Sequence, residues 1–339
     1  MSTLMSPTVT PVNEPTYAIE TLTPAKAKEY LDGQATNRGI SSSRVSMYAR
    51  DIENGDWYFN GAPIRFNKQG RLIDGQHRCK AVIKANKSIQ IMVIRGIDQE
   101  AQTTMDTGRS RGISDVLALR GVKNAPTVAA FAKRYNTLLH KGLERTLQEG
   151  GGASITSVSE LLALFNDNEA LITECAKAGS KYSKKLPVNL SRAVVGVLYF
   201  SFCCMADEPS VDYFFNRLSS GVDLSADDPI YVLREKLQKL LKMSKTGSLR
   251  GQLTYASAIT ILAWNAYAAG KRIRTLNWRA DAQAGMNFPT PEPVIDSEPH
   301  FVFCTGADRY EFLKNGIQLQ PGTFGEYPHV NPKEETYGK

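Results

Sequence analysis

The chain has 339 residues, 42% of them hydrophobic and 22% charged, with a formal net charge of +7. That length and balance suit one large or two ordinary folded domains and exclude a disordered or collagenous chain. The longest apolar run, Ala193 to Ala206, has 14 residues, too few to span a bilayer, so it reads as a buried helix and no membrane partner is expected.

The opening stretch MSTLMSPTVTPVNEPT has neither the basic segment nor the apolar core of a signal peptide. It reads as a flexible leader, residues 1–16, and a cytoplasmic protein is expected. Then YAIETL is an extended run, and Thr23 followed by Pro24 has the form of a helix N-cap with proline in the first turn. A helix is expected from about Ser42 to Asn54, with Val45, Tyr48 and Ile52 on one face and Gly55 at its end. GAPIRFNKQGRLID gives two short strands around a turn, the pattern of a hairpin. QHRCKAVIKAN reads as a helix, SIQIMVIRGI as a strand and DQEAQTTMDTG as another helix. Residues 17–112 are therefore expected as a small α/β domain.

Beyond about residue 112 strand signals nearly vanish. Ser157 and Glu160 form a capping-box pattern, DPIYVLREKLQKLLKM and LTYASAITILAWNAYAAG are helical, and HKGLERTLQEGGGAS reads as a linker. A mostly α-helical domain is expected over 113–285, followed by a loose Pro/Gly-rich acidic tail over 286–339. The fold class is α+β. Five cysteines without a Cys-x-x-Cys pair, and four scattered histidines, speak against zinc and fit a reducing compartment. Positive charge is clustered: eight Lys/Arg against two acids from Arg109 to Arg145, and six against Glu235 from Arg234 to Arg250. Such clusters suit a polyanion such as DNA, or are solvated helix faces.

The densest polar chemistry lies in RLIDGQHRCKAVI, Arg71 to Ile83. Strand, glycine turn, helix is a geometry that binds phosphate. The first N–H groups of a helix lack intrahelical partners, and the helix dipole adds positive potential there. Gly75 permits the tight turn, and Gln76, His77 and Arg78 are donors in the first turn. Cations at a helix N-terminus are unfavourable unless an anion is present. Either a phosphate supplies it, or Asp74 pairs with Arg78 or His77 and caps the helix.

DGQHR followed by an apolar helix resembles a motif of the ParB/sulfiredoxin superfamily, whose members carry Gly-x-x-Arg at a helix start. NRGISSSRVSMYARDIENGDW, PIRFNKQGRLIDGQHRCKAVI, MVIRGID and MDTGRSR together resemble the DGQHR-type ParB-like proteins of phages and mobile elements. The resemblance covers roughly residues 17 to 120. It implies a small domain that holds a nucleoside triphosphate, ATP or CTP, usually with Mg²⁺, with Gly75, Gln76, His77 and Arg78 around the phosphates. An upstream Arg supports the nucleotide in ParB; Asn37 and Arg38 are similar, with the intervening residue missing. Gln76 stands where sulfiredoxin has its catalytic Cys, so that redox activity is not expected. Cys79 reads as a packed residue.

Asp74 is the candidate catalytic or metal-holding group, because it adjoins the phosphate loop. In MDTGRSRG, Asp106 is a candidate Mg²⁺ ligand and Arg109 and Arg111 are candidate phosphate clamps; the alternative is a helix end followed by a basic loop. Glu53 and Asp56, near the end of an early helix, could also reach the same site, though neither is assigned an Mg²⁺ or general-base role. In the helical part, KYSKKLPVNLSR could open a DNA-recognition helix, with Lys184, Lys185 and Arg192 toward nucleic acid; an ordinary bundle is the alternative. Trp264, Trp278, Tyr255 and Tyr267 read as core rather than base-stacking platforms, flanked by Lys271, Arg272, Arg274 and Arg279, which could bind phosphate backbone. The expected function is a ParB-like nucleotide-binding protein acting on or with DNA, either as a slow nucleotide-hydrolysing switch or as a phosphotransferase or nucleic-acid-modifying enzyme using the same pocket. A non-enzymatic DNA-binding regulator is the third reading. A second copy or another protein is a further expected partner.

Overall fold

A computed structural model of the protein describes residues 14–33, 39–98, 100–101, 105, 111–148, 156–188, 190–244, 252–279, 287–303, 309–316 and 330–332. The fold is α+β and divides into two units: Met1–Ser110 with Ile155–Ser159, and Arg111–Ser154 with Glu160–Lys339. Among the described residues no helix is long and apolar enough to cross a membrane. The helix expected over DQEAQTTMDTG lies mostly outside the described residues.

The first unit holds β1 (Thr16–Leu22), α1 (Pro24–Asp32), α2 (Ser42–Asn54), β2 (Ile64–Asn67), β3 (Leu72–Asp74), α3 (Gln76–Ala85) and β4 (Ile89–Ile97). Its sheet has the order β1-β4-β2-β3. The β1/β4 and β2/β3 pairs are antiparallel, and β2/β4 is parallel. Caps explain the helix starts. The Thr23 side chain accepts from the Lys26 N–H, and Ser41 accepts from the Arg44 N–H. Gly55 ends α2 at φ 83°. The hairpin turn closes on Asn67, whose Oδ1 accepts from the N–H groups of Gln69 (3.1 Å) and Arg71 (2.8 Å). Leu22, Ile64, Leu72, Ile91 and Val93 from the strands bury against Ala27, Tyr30, Cys79, Ala81 and Val82 from the helices.

Glu20 anchors one corner of this unit. It accepts from Arg95 Nη1 at 2.5 Å and Tyr30 OH at 2.6 Å, and pairs with Lys26. Burial raises the Glu20 pKa, but the bonds from Arg95, Lys26 and Tyr30 together outweigh it and pull the pKa down to about 2.

The second unit holds α4 (Ile113–Leu119), α5 (Ala125–Leu147), α6 (Val158–Asp167, its first two residues assigned to the first unit), α7 (Glu169–Ser183), α8 (Arg192–Cys203), α9 (Glu208–Ser220), α10 (Pro229–Ser244), α11 (Gln252–Ala268), β5 (Phe301–Phe303), α12 (Arg309–Asn315) and β6 (Val330–Pro332). α8 is its central column, buried from Ala193 to Cys203. α7 packs against it backbone to backbone: a Cβ on Gly179 would lie 2.1 Å from the Arg192 carbonyl oxygen, and one on Gly196 would lie 2.8 Å from that of Cys175. Aromatic rings fill the surroundings, and Trp264 stacks on Phe202 at 4.3 Å.

The stretch HKGLERTL is not linker but the last part of α5, which kinks at Gly142 (φ 72°). Helix continues past the kink because Leu143 and Leu147 are buried and the Thr146 hydroxyl donates to the Gly142 carbonyl at 2.8 Å. The kink also opens a notch. A Cβ on Gly142 would lie 2.2 Å from the Lys314 carbonyl oxygen, so the end of α12 seats there. Phe301, Phe312 and Leu313 enter the core from this late part of the chain.

Two expectations follow. Gly179→Ala should cost about 1–3 kcal/mol by overpacking and lower the thermal midpoint measured by circular dichroism, whereas Gly33→Ala, whose Cβ meets nothing within 4 Å, should leave it unchanged. Because the folded Glu20 pKa lies below its ordinary 4.5, its stabilisation is present above that pH and is lost as pH falls toward about 2. Chemical denaturation should therefore find Glu20→Gln less stable than wild type near neutrality, with the gap closing on acidification below about 4.5.

Candidate functional site

The polar cluster of the sequence sits where β3 hands over to α3. Gly75 makes the turn at φ 111°, a conformation that a side chain rarely adopts. An added Cβ there would also lie 2.8 Å from Ile64 Cγ1, in the core. Glycine is thus required by the backbone and by Ile64 beneath it, and both reasons hold without a ligand. The Cys79 N–H donates to the Gly75 carbonyl at 3.0 Å and closes the first turn of α3.

Asp74 is the hub. A bulge in β3, with Ile73 as the extra residue, brings Asp74 directly opposite Arg65. Asp74 Oδ2 accepts from Arg65 Nη1 at 2.6 Å and from Arg78 Nη2 at 2.9 Å, one helical turn on. Arg78 Nη1 also donates to the Ala62 carbonyl at 2.9 Å. The side chains of Arg65, Asp74 and Arg78 are 23%, 17% and 14% exposed, so the cluster is screened but reachable. It carries one net positive charge at the positive end of α3. Among the described residues these bonds use one N–H of Arg65 and two of Arg78, out of five on each guanidinium.

His77 and Gln76 are placed differently from Arg78. Both are buried. His77 Nε2 accepts the Ser41 N–H at 3.0 Å, so that nitrogen presents a lone pair and not a proton. This bond ties the start of α3 to the cap of α2. Cys79 is fully buried, and burial pushes its thiol pKa up to about 12, which removes it as a nucleophile.

Glu53 and Asp56 do not reach this site. α2 and α3 run side by side in the same direction: Ser41 meets His77 at one end, and Lys87 Nζ donates to the Glu53 carbonyl at the other. Twelve residues of helix separate Ser41 from Glu53, about 18 Å. Arg38, Asp106 and Arg109 lie outside the described residues. Arg111 is exposed and belongs to the helical unit. Among the described residues no group of three or more His, Cys, Asp or Glu could hold a metal, and the two guanidiniums on Asp74 Oδ2 make that oxygen a poor Mg²⁺ ligand.

Lys184 and Lys185 are exposed at the end of α7. Arg192 opens α8 and donates to Thr127 Oγ1 at 3.2 Å. α8 itself is buried on all sides, so it has no face to enter a major groove, and the recognition-helix arrangement is not what this segment forms. Arg65 and the Ala62 carbonyl were not among the expected site groups.

Asp74→Ala leaves two guanidiniums facing each other. It should cost about 1–2 kcal/mol, more than Arg65→Ala, and the double variant should be less destabilised than the sum, as read by urea denaturation.

Compared with protein-family models, curated proteins and solved structures, the chain has no match.

Proposed function

We propose that the α/β unit is a ParB/sulfiredoxin-like domain that binds a nucleoside triphosphate, ATP or CTP, at the start of α3, and that the chain acts with DNA. One observation carries the nucleotide reading: Arg78 is held in the first turn of α3, 14% exposed, with N–H groups left over after Asp74 and Ala62. A phosphate arriving there would meet a guanidinium already oriented, plus the helix dipole. Gly75 and the turn it makes keep the backbone close to that point. Gln76 and His77 contribute through packing and through the bond to Ser41.

Asp74 is proposed as a positioning residue. Its Oδ2 is shared by two guanidiniums, which suits holding Arg78 and Arg65 better than taking a proton from water. Mg²⁺ would arrive with the triphosphate, and no described residue is assigned to it. The expected hydrolysis then belongs to a slow switch, in which nucleotide occupancy changes how the chain engages its partner. A second copy of the chain is among the partners proposed.

A second reading has its own observation. Asp74 already compensates Arg78, so the helix start is satisfied without any ligand. In that reading the α/β unit is a scaffold in a DNA-binding regulator, and DNA affinity is indifferent to nucleotide.

Calorimetric titration of the full chain with ATP and with CTP, each with Mg²⁺, separates the two. Saturable heat from one nucleotide is expected, with Arg78→Ala weakening it at least roughly tenfold, the value of one charge-assisted hydrogen bond. Asp74→Asn tests the role of the carboxylate: binding retained while turnover disappears would make it catalytic. No heat from either triphosphate sinks the nucleotide reading.

A further inference from the structure

The net positive charge of the helical unit is not spread evenly over its surface. α10 carries Arg234, Lys236, Lys239 and Lys242 against the single acid Glu235. The segment from Lys271 to Arg279 carries four Lys/Arg and no acid. Far apart in sequence, these two stretches lie together. The Ile273 N–H donates to the Asp227 carbonyl at 2.9 Å, just before α10, and Lys236 Nζ donates to Asn277 Oδ1 at 2.8 Å.

The two ties define a geometry. Between them the segment advances four residues and the helix side nine. Both ties run in the same chain direction, so the segment is an irregular strap, bent at Arg274, laid along α10. Arg274 falls between the ties, Lys271 before the first and Arg279 beyond the second.

On α10 the apolar residues Ile230, Leu233 and Leu237 face inward, each fully buried. Lys236, Lys239 and Lys242 step along the other side, each about 4.5 Å further on and about 60° round. Arg234 is occupied with the carbonyls of Leu218 and Ser219. Arg272 faces Asp227 and Asp228 at 3.6 and 3.7 Å, and Arg274 lies within electrostatic range of Asp227. Lys236, Lys239, Lys242, Lys271, Arg274 and Arg279 make no ion pair with a described carboxylate. Six cations thus flank one ridge with little internal compensation, an arrangement that repels itself unless a polyanion lies across it.

We infer that α10 and the strap over residues 271–279 form a binding surface for the phosphate backbone of a nucleic-acid duplex. The choice of partner follows from what the ridge lacks. Among the described residues, no exposed large hydrophobic side chain lies between Pro229 and Arg279. A membrane surface calls for apolar groups to insert, and a single strand calls for exposed aromatic rings to stack on its bases. A ridge of exposed amines and guanidiniums meets duplex phosphates and reads no sequence. The inference rests on the nucleic-acid half of the function proposed above and is independent of the nucleotide half.

The test uses the full chain and a labelled duplex of arbitrary sequence, as DNA and as RNA, with binding followed by fluorescence anisotropy from roughly 50 to 200 mM salt. Wild type should bind with steep salt dependence. The fourfold variant Lys239→Glu, Lys242→Glu, Arg274→Glu, Arg279→Glu should bind at least roughly tenfold more weakly, its log–log salt slope flattened by about 0.9 for each phosphate no longer neutralised. The corresponding fourfold Gln variant, with an unchanged circular-dichroism melt, guards against loss of folding. Equal affinity and slope in wild type and both variants overturn the surface while leaving nucleic-acid binding intact. A loss seen instead with Lys184→Glu and Lys185→Glu overturns it in favour of the end of α7. Wild type that binds neither duplex, whether or not it binds anionic vesicles, overturns both the surface and the nucleic-acid reading, and leaves the calorimetric result for nucleotide untouched.

Discussion

One carboxylate holds the site end of the α/β unit together. Asp74 sits at the junction of β3 and α3, and its Oδ2 takes a guanidinium from the neighbouring strand and another from the first turn of the helix. Through Arg78 the same cluster reaches the Ala62 carbonyl in the approach to β2. Without that anion two like charges would converge at the positive end of a helix, where the dipole adds to their repulsion and water reaches them only in part. The arrangement also sets terms for a ligand. A guest must compete with a carboxylate already in place, so a polyphosphate gains far more there than a singly charged ion.

Much of this unit could be read from residue order alone. Thr23-Pro24, Ser41, Gly55 and the Asn67–Gly70 turn each act locally, through a side-chain cap, a left-handed glycine or a closed turn. The helix–strand pattern from Ser42 to Ile97 emerged as expected for that reason. The partner of Asp74 did not. Counting back across the hairpin from the Phe66–Leu72 pair puts Ile64 opposite Asp74, and only the extra residue Ile73 in β3 brings Arg65 there instead. A one-residue register shift is a tertiary outcome, and it accompanies the packing of Ile64 under Gly75. The depth of Gln76 and His77 was hidden for a similar reason. Both are polar and occupy the first turn of a helix, where exposure is the natural guess; the neighbouring cap of α2 covers His77.

In the helical unit the apolar run from Ala193 to Ala206 correctly announced a buried helix, because a stretch without a polar face has nowhere else to go. That same property disqualifies α8 from reading DNA. The continuation of α5 past Gly142 was missed, since glycine followed by charged residues resembles linker. What composition could not convey is that a segment of four cations would be laid along a helix of four more, with two backbone and side-chain ties holding it there.

The notch at Gly142 bears on the order in which the molecule can be made. α5 is synthesised early, yet its bend is filled by the backbone around Lys314, and the rings of Phe301 and Phe312 pack on Phe200 at 5.4 and 6.4 Å. The central column therefore waits, with an aromatic flank uncovered, until a much later part of the chain emerges. Such closure across a long sequence separation slows folding and prolongs exposure of apolar surface.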